Sequence, residues 1–343
     1  MKGKENHMKD LFKLKLVSAK LNIFAGNTNV TTDTDLSEEM KKYYSDYLID
    51  MADPELVHDQ FGQKQPIPRN GGKTIQFRKY APLAKALTPL TEGVTPNGQK
   101  LAVSVIEATV AQYGGYIELS DVLLLTAIDN NLIQATKLLG SQAGRTLDTI
   151  TIEVLNGGTN VQYADGSVAS RAALQYGANT KNVLTVDCVK RAVRALKLQN
   201  TPRIDGGYVG IIHPDCAYDL TSDPEWRYPH QYVDTDEIYN GEIGRVAGVR
   251  FVETTEAKIF AGAGASDRDV YSTLILGENA YGVTEVTGGG LVHIVKQLGS
   301  AGTADPLNQR ATVGWKAIKV AERLVEQYMI RVETVSTFAA GAN

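Results

Sequence analysis

An apolar stripe through residues 120–156 constrains this chain more than any other feature. Ile128, Leu132, Ala135, Leu139, Ala143, Leu147, Ile150 and Val154 recur at spacings of three or four, the period that lines side chains along one face of an α-helix. Ser120 can cap its start and Gly157-Gly158 can end it. A continuous helix over 120–156 would reach about 55 Å at 1.5 Å per residue. Gly140 and Gly144 are where it could bend, since each costs about 1 kcal/mol relative to alanine. A helix this long exceeds what one small domain needs, so it reads as a spine on which other elements are built.

Upstream, Asp35 can cap a second helix, with Glu38 placed for a capping box. Leu36, Met40, Tyr43, Tyr44, Tyr47, Leu48 and Met51 follow at helical spacing, and Pro54 lies just past the end. The pattern suits packing on the chain's own domain and packing on another subunit equally well. Pro66, Pro68 and the turn Asn70-Gly71-Gly72 then lead into a strand over 73–80. A connection over 81–100, with Pro82, Pro89, Pro96, Gly93 and Asn97-Gly98, precedes a second β run over 101–110. In that run Leu101, Val103 and Val105 face one way, and Ala102, Ser104 and Ile106 the other. The two strands predict an extended hairpin, and connections of that length in a compact domain are usually functional. Arg69, Lys73, Arg78, Lys79, Lys85 and Lys100 all lie on it. The alternative is a solvated edge strand protected by lysines.

Downstream the pattern alternates. Thr185 caps a short helix carrying Val189, Val193 and Leu196 on one face, and Asp205-Gly206-Gly207 precedes a strand over 208–213. Further strands are predicted over 249–253, 271–276, 291–296, 313–320 and 328–335, while 321–327 suits a helix or a turn. The fold class is α+β, with helices and strands partly segregated.

Charge is uneven along the chain although the net charge is only -4. Residues 1–20 carry six lysines against Glu5 and Asp10; residues 21–62 carry nine acids against Lys41 and Lys42; residues 63–100 carry seven bases against Glu92. Adjacent segments of opposite sign invite pairing within or between subunits. The overall balance does not indicate bulk attraction to nucleic acid. No apolar run approaches the ~20 residues of a membrane helix, and Lys13, Lys15 and Lys20 interrupt what could be a signal-peptide core, so the chain is expected to be cytosolic and uncleaved. Cys188 and Cys216 stand apart from any metal-ligand pattern and read as two small buried thiols. No nucleophile elbow, zinc-protease motif or phosphate loop is present, and no cofactor or metal is expected. His213-Pro214-Asp215-Cys216 looks site-like, but it follows a strand and is expected to open a helix, with Asp215 serving the exposed amides of the first turn. Tyrosine outnumbers phenylalanine sixteen to seven, and its apolar body with a polar tip suits interfaces wet at their rims.

Three stretches in the second half carry a family likeness: residues 208–220 (YVGIIHPDCAYDL), 241–254 (GEIGRVAGVRFVET) and 305–317 (DPLNQRATVGWKA). Between them, Trp226 after Asp223-Pro224, and Ile275-Leu276-Gly277 with Ala280-Tyr281-Gly282, fall in matching order. The sequence resembles major capsid proteins of tailed bacteriophages, the enquatrovirus type, over roughly residues 25–335. The resemblance implies the Hong Kong phage-type capsid fold: an N-terminal arm (1–62), an extended β-hairpin loop (63–118), a peripheral domain with a spine helix (119–181), an axial domain (182–305), and a return to the peripheral sheet (306–343). It implies a shell subunit rather than an enzyme, located in the virion capsid and assembled in the host cytoplasm. Expected partners are other copies of the chain, as hexamers and pentamers, enclosed double-stranded DNA without specific binding, a portal, and decoration or scaffolding proteins, with no membrane. Expected intersubunit contacts are Arg69, Lys73, Arg78, Lys79, Lys85, Lys100, Tyr43 and Tyr47. Some relatives of the fold carry a Lys–Asn crosslink; Lys85 and Lys100 are on the corresponding element, but the sequence shows no acid-lined pocket for one. The rival readings are an encapsulin-like compartment and, from another class, a hydrolase with a dispersed site.

Overall fold

The structure, a computed structural model, describes residues 48, 56–66, 73–80, 83–90, 92–95, 97–126, 131–226, 244–285, 291–300 and 305–338. The chain divides into two units, Met1–Asp46 and Tyr47–Asn343, and every described residue belongs to the second. Its helices are α1 (Asp121–Thr126), α2 (Asn131–Asn156), α3 (Val186–Leu198) and α4 (Pro214–Ser222). In chain order its strands are β1 (Gln63–Gln65), β2 (Thr74–Tyr80), β3 (Val103–Thr109), β4 (Ala111–Ser120), β5 (Val161–Tyr163), β6 (Tyr208–Ile212), β7 (Arg245–Val246), β8 (Val249–Glu253), β9 (Ile259–Phe260), β10 (Val270–Leu276), β11 (Tyr281–Thr284), β12 (Leu291–Lys296), β13 (Arg310–Lys319), β14 (Ala321–Arg323) and β15 (Met329–Thr334).

The spine is α2, 26 residues long and so about 39 Å. Ser120 does cap the element before it: its Oγ accepts from the Leu123 N–H at 3.2 Å. That element, α1, ends at Thr126, so the single helix expected over 120–156 is two elements, with 127–130 (Ile128 among them) outside the described residues. Gly140 and Gly144 do not interrupt α2; both lie on its buried side, where tertiary packing offsets their low helix propensity. Ala135, Leu139, Ala143 and Leu147 are buried, as their spacing requires.

One face of α2 packs on a three-stranded antiparallel sheet, β12-β13-β4. Leu139, Ala143 and Leu147 meet Leu291, Val313, Trp315 and Ala317 there. Leu48, described as helical and fully buried, joins this cluster together with Leu56. At that residue the upstream helix packs on its own unit. Pro54 and the rest of that helix, Tyr43 and Tyr47 included, lie outside the described residues.

A second core lies between α3, α4 and a seven-stranded mixed sheet whose main path is β5-β15-β10-β6-β8-β7, with β9 beside β10. Strand β6 is buried throughout and runs parallel to β8 but antiparallel to β10. Thr185 caps α3 as expected, accepting from the Cys188 N–H. Ala321 to Gln327, open between helix and turn on sequence, holds the strand β14 and the start of a 3-10 turn at Glu326–Tyr328.

The hairpin is β2–β3, paired antiparallel from Thr74↔Thr109 to Tyr80↔Val103. Its base is fixed on one face. Ile75, Phe77 and Ala108 are buried and pack with Ile106, Val110, Val320 and Leu324. Phe77 lies flat against β11, where a Cβ on Gly282 would sit 2.3 Å from the ring. Gly282→Ala is expected to push the Phe77 ring out of its seat and destabilise the subunit by about 1–3 kcal/mol, read as a lower denaturant midpoint; an unchanged midpoint would show that the ring has room to shift.

Candidate intersubunit surface

Two features define the surface: what holds the hairpin's root, and what the hairpin exposes. Residues 56–61 enter the root through a buried polar latch. The His58 N–H donates to Asp148 Oδ1, and His58 Nδ1 lies against Asp148 Oδ2, both at 2.8 Å. The Thr151 hydroxyl donates to Asp59 Oδ1 at 2.7 Å, and Lys319 Nζ pairs with Asp59 Oδ2. Tyr281 donates its hydroxyl to the His58 carbonyl. His58, Asp148, Thr151, Lys319 and Tyr281 are essentially inaccessible. Burial, with Asp59 and Asp148 adding to it, raises the Tyr281 phenol well above its ordinary pKa and keeps it a donor. The latch joins the segment before the hairpin to α2, β11 and β13, and β1 then runs parallel to β11.

Beyond the root the hairpin is exposed. Every described residue from 83 to 105 is exposed. Among these, Leu87 is 82%, Leu90 77% and Leu101 72% accessible, and Leu83, Val94, Val103 and Val105 are also largely in solvent. A Gln99 side-chain N–H donates to the Ala84 carbonyl at 3.0 Å and ties the two legs together. Lys73, Arg78, Lys85 and Lys100 are exposed on this element, and Lys79 stands in β2 opposite Ser104. Arg78 pairs in register with Val105, which puts a cation beside the exposed apolar row. Arg69, Tyr43 and Tyr47 lie outside the described residues.

The apolar row was missed in the charge-based reading of this hairpin. Its signal is in the sequence: Leu83, Leu87, Leu90 and Val94 sit among prolines with no strand or helix of their own to bury them. A second exposed apolar group lies where β4 meets α1. Tyr116 is 70% accessible, with Val122 and Leu125 also outward, next to the acids Glu118 and Asp121. Strand β4 was itself unforeseen: it pairs with β13 over ten residues, from Ala111↔Lys319 to Ser120↔Arg310.

The chemistry-bearing candidates are structural in their surroundings. His213, not Asp215, caps α4, its Nδ1 accepting from the Asp215 N–H at 3.2 Å. The Asp215 carboxylate instead accepts from the Tyr271 hydroxyl at 2.6 Å, so the expected role of Asp215 at the first-turn amides passes to its neighbour. Burial lowers the His213 pKa and raises that of the Cys216 thiol. Cys188 and Cys216 are buried and free. Among the described residues no group of His, Cys, Asp or Glu is arranged to hold a metal, and no helix is long and apolar enough to cross a membrane.

The sequence matches the phage capsid protein family over residues 104–323. Among curated proteins none matches it. Similar solved structures are the capsid of Ralstonia phage GP4 (17% identity, 82% of this chain and 89% of that one, TM-score 0.65), that of Cyanophage P-SCSP1u (13%, 82% and 89%, 0.61) and that of Cyanophage Pam1 (14%, 83% and 92%, 0.60). These likenesses extend the fold match beyond the segment that the family covers.

Because the latch is buried, removing one partner leaves an uncompensated charge. Lys319→Met is expected to cost about 3–5 kcal/mol by denaturant unfolding, and Asp59→Asn in the same chain should recover part of it, since coupled neighbours are not additive. A double-variant cost equal to the sum of the two single-variant costs would show that the two groups do not depend on each other.

Proposed function

This chain belongs to the phage capsid protein family and is a major capsid subunit of a phage shell, and from that premise we propose that its hairpin closes the shell by lying over a neighbouring copy. The observation that carries this is the row of seven large apolar side chains left in solvent along the hairpin, from Leu83 to Val105. Exposed apolar patches of that extent mark interaction surfaces. The surface that suits it on a neighbour is the one with Tyr116, Val122 and Leu125 exposed, where Glu118 and Asp121 offer acidic partners to the bases Lys73, Arg78, Lys85 and Lys100. The acidic arm, with Tyr43 and Tyr47, is a further contact for the bases Arg69 and Lys79.

In this reading residues 1–62 are the arm, 63–118 the extended loop, 119–181 and 306–343 the peripheral domain, and 182–305 the axial domain. Copies gather as hexamers and pentamers. Each exposed ion pair contributes well under ~1 kcal/mol, and burial of the leucines contributes about 25 cal/mol per Å² of apolar area covered. Repetition around every subunit turns these small contacts into a closed shell. The shell forms in the host cytoplasm around a portal, takes decoration or scaffolding proteins, and encloses double-stranded DNA. The net acidity suits a wall that does not grip a moving genome.

Arg78→Glu with Lys79→Glu is expected to abolish shells while leaving a folded, soluble subunit, as judged by electron microscopy and circular dichroism; normal particles from that variant would contradict the hairpin contact. Free subunits are expected to bind short duplex DNA weakly, with binding falling steeply as salt rises. Tight, sequence-specific binding would contradict the passive-wall reading.

A further inference from the structure

The latch at the hairpin's root contains a buried lysine with more donors than partners. Strand β13 turns Val313, Trp315 and Ala317 into the core it shares with α2, and Lys319 takes the next place in the same alternation. It is 1% accessible, a setting in which lysine is almost never found unless paired. An ammonium offers three N–H donors. Among the described residues, Lys319 Nζ has a single hydrogen-bond acceptor, Asp59 Oδ2. The remaining donors are left over where an unmade hydrogen bond is costly.

Asp59, itself buried, is fixed from its other sides. Its Oδ1 accepts from the Thr151 hydroxyl at 2.7 Å. The peptide carbonyl just before it, that of His58, accepts from the Tyr281 hydroxyl. His58 is held in turn by Asp148 through its N–H and its Nδ1, both at 2.8 Å. An amine on β13, a carboxyl group on the segment before the hairpin and a hydroxyl donor on α2 therefore converge in one buried place. The amine lies against one carboxyl oxygen and the donor against the other.

We propose that Lys319 and Asp59 condense into an isopeptide bond within the chain. The ion pair is the reactant. Nζ passes one proton to Oδ2, and the electron pair this frees attacks Cγ of Asp59. The Thr151 hydroxyl stabilises the charge that develops on Oδ1. The Cγ–Oδ2 bond then breaks, and Oδ2 leaves as water with two of the original ammonium protons. The third proton stays on the amide nitrogen, so atoms and charge balance and no outside reagent is consumed. Groups fixed in contact react as if at about 10⁵–10⁸ M, which favours a condensation that free amines and carboxylates in water do not undergo. The product replaces two buried charges, whose desolvation offsets much of their attraction, with a neutral amide. That amide has one N–H to satisfy, and its oxygen is already bonded to Thr151. The bond uses neither Lys85 nor Lys100 and does not depend on the shell reading. It makes the latch permanent: residues 56–61 cannot leave β13 without breaking an amide.

The test is the mass of the purified full-length chain after denaturation, a readout to which the presence or absence of shells is irrelevant. The wild-type chain is expected to be lighter by one water than its residues require. Its tryptic digest is expected to contain a branched peptide joining the fragments that hold Asp59 and Lys319. Lys319→Arg and Asp59→Ala are each expected to show the full mass. During refolding, Thr151→Val is expected to form the bond about 10²–10³-fold more slowly than wild type, and Thr151→Ser to restore the rate. A wild-type chain of full mass overturns the proposal, whatever the variants do. A water lost within a single peptide, as in a succinimide, overturns it as well, and so do covalent dimers on a denaturing gel, which would place the two residues on different chains. Equal rates in wild type and folded Thr151→Val overturn the part given to Thr151.

Discussion

The geometry of this subunit depends on a short buried chain of polar contacts linking His58 and Asp59 to Asp148, Thr151, Tyr281 and Lys319. A buried ion pair is weak evidence for stability, because desolvating both charges offsets much of their attraction. Its value here is in placement. Sliding residues 56–61 by one position along α2 would leave Asp148, Thr151 and Lys319 without partners, and each buried orphan costs about 1–3 kcal/mol or more. The latch therefore admits one register. From it follow the parallel pairing of β1 with β11, the seat of Phe77 against Gly282 and the direction in which the hairpin leaves the body.

That fixed root explains how the rest of the hairpin can be left without a core of its own. Phe77, Ile75 and Ala108 end the buried part. Past them the legs hold together by strand pairing and by contacts such as Gln99 to Ala84, while leucines that a monomer would normally bury stand in water. A rigid root with an apolar, cation-flanked extension suits a subunit that must make similar contacts in settings of differing curvature.

Much of this was legible in the sequence wherever one period dominated. The stripe Ala135, Leu139, Ala143, Leu147 is buried, Thr185 caps α3, and the strands over 249–253 and 291–296 fall where alternation and apolar runs put them. The paired legs of the hairpin were visible because turn residues bracket them. What was not legible depended on partners distant in sequence. Strand β4 hides its alternation behind Gly114-Gly115, which sit tight against Trp315 and Gln142. The latch pairs residues 90 to 260 positions apart, and no local spacing marks Asp59 for Lys319. The roles of His213 and Asp215 were exchanged because Tyr271, on a different strand, claims the carboxylate. The hairpin residues Leu83, Leu87 and Leu90 carry no period that would flag them, because they form no helix or strand.

Whether this chain closes on copies of itself is read by electron microscopy of the purified full-length protein under conditions that favour association. Regular shells, or rings that grow into shells, of uniform curvature are expected. A population that remains monomeric across concentration and salt, with its hairpin leucines in solvent, would contradict it.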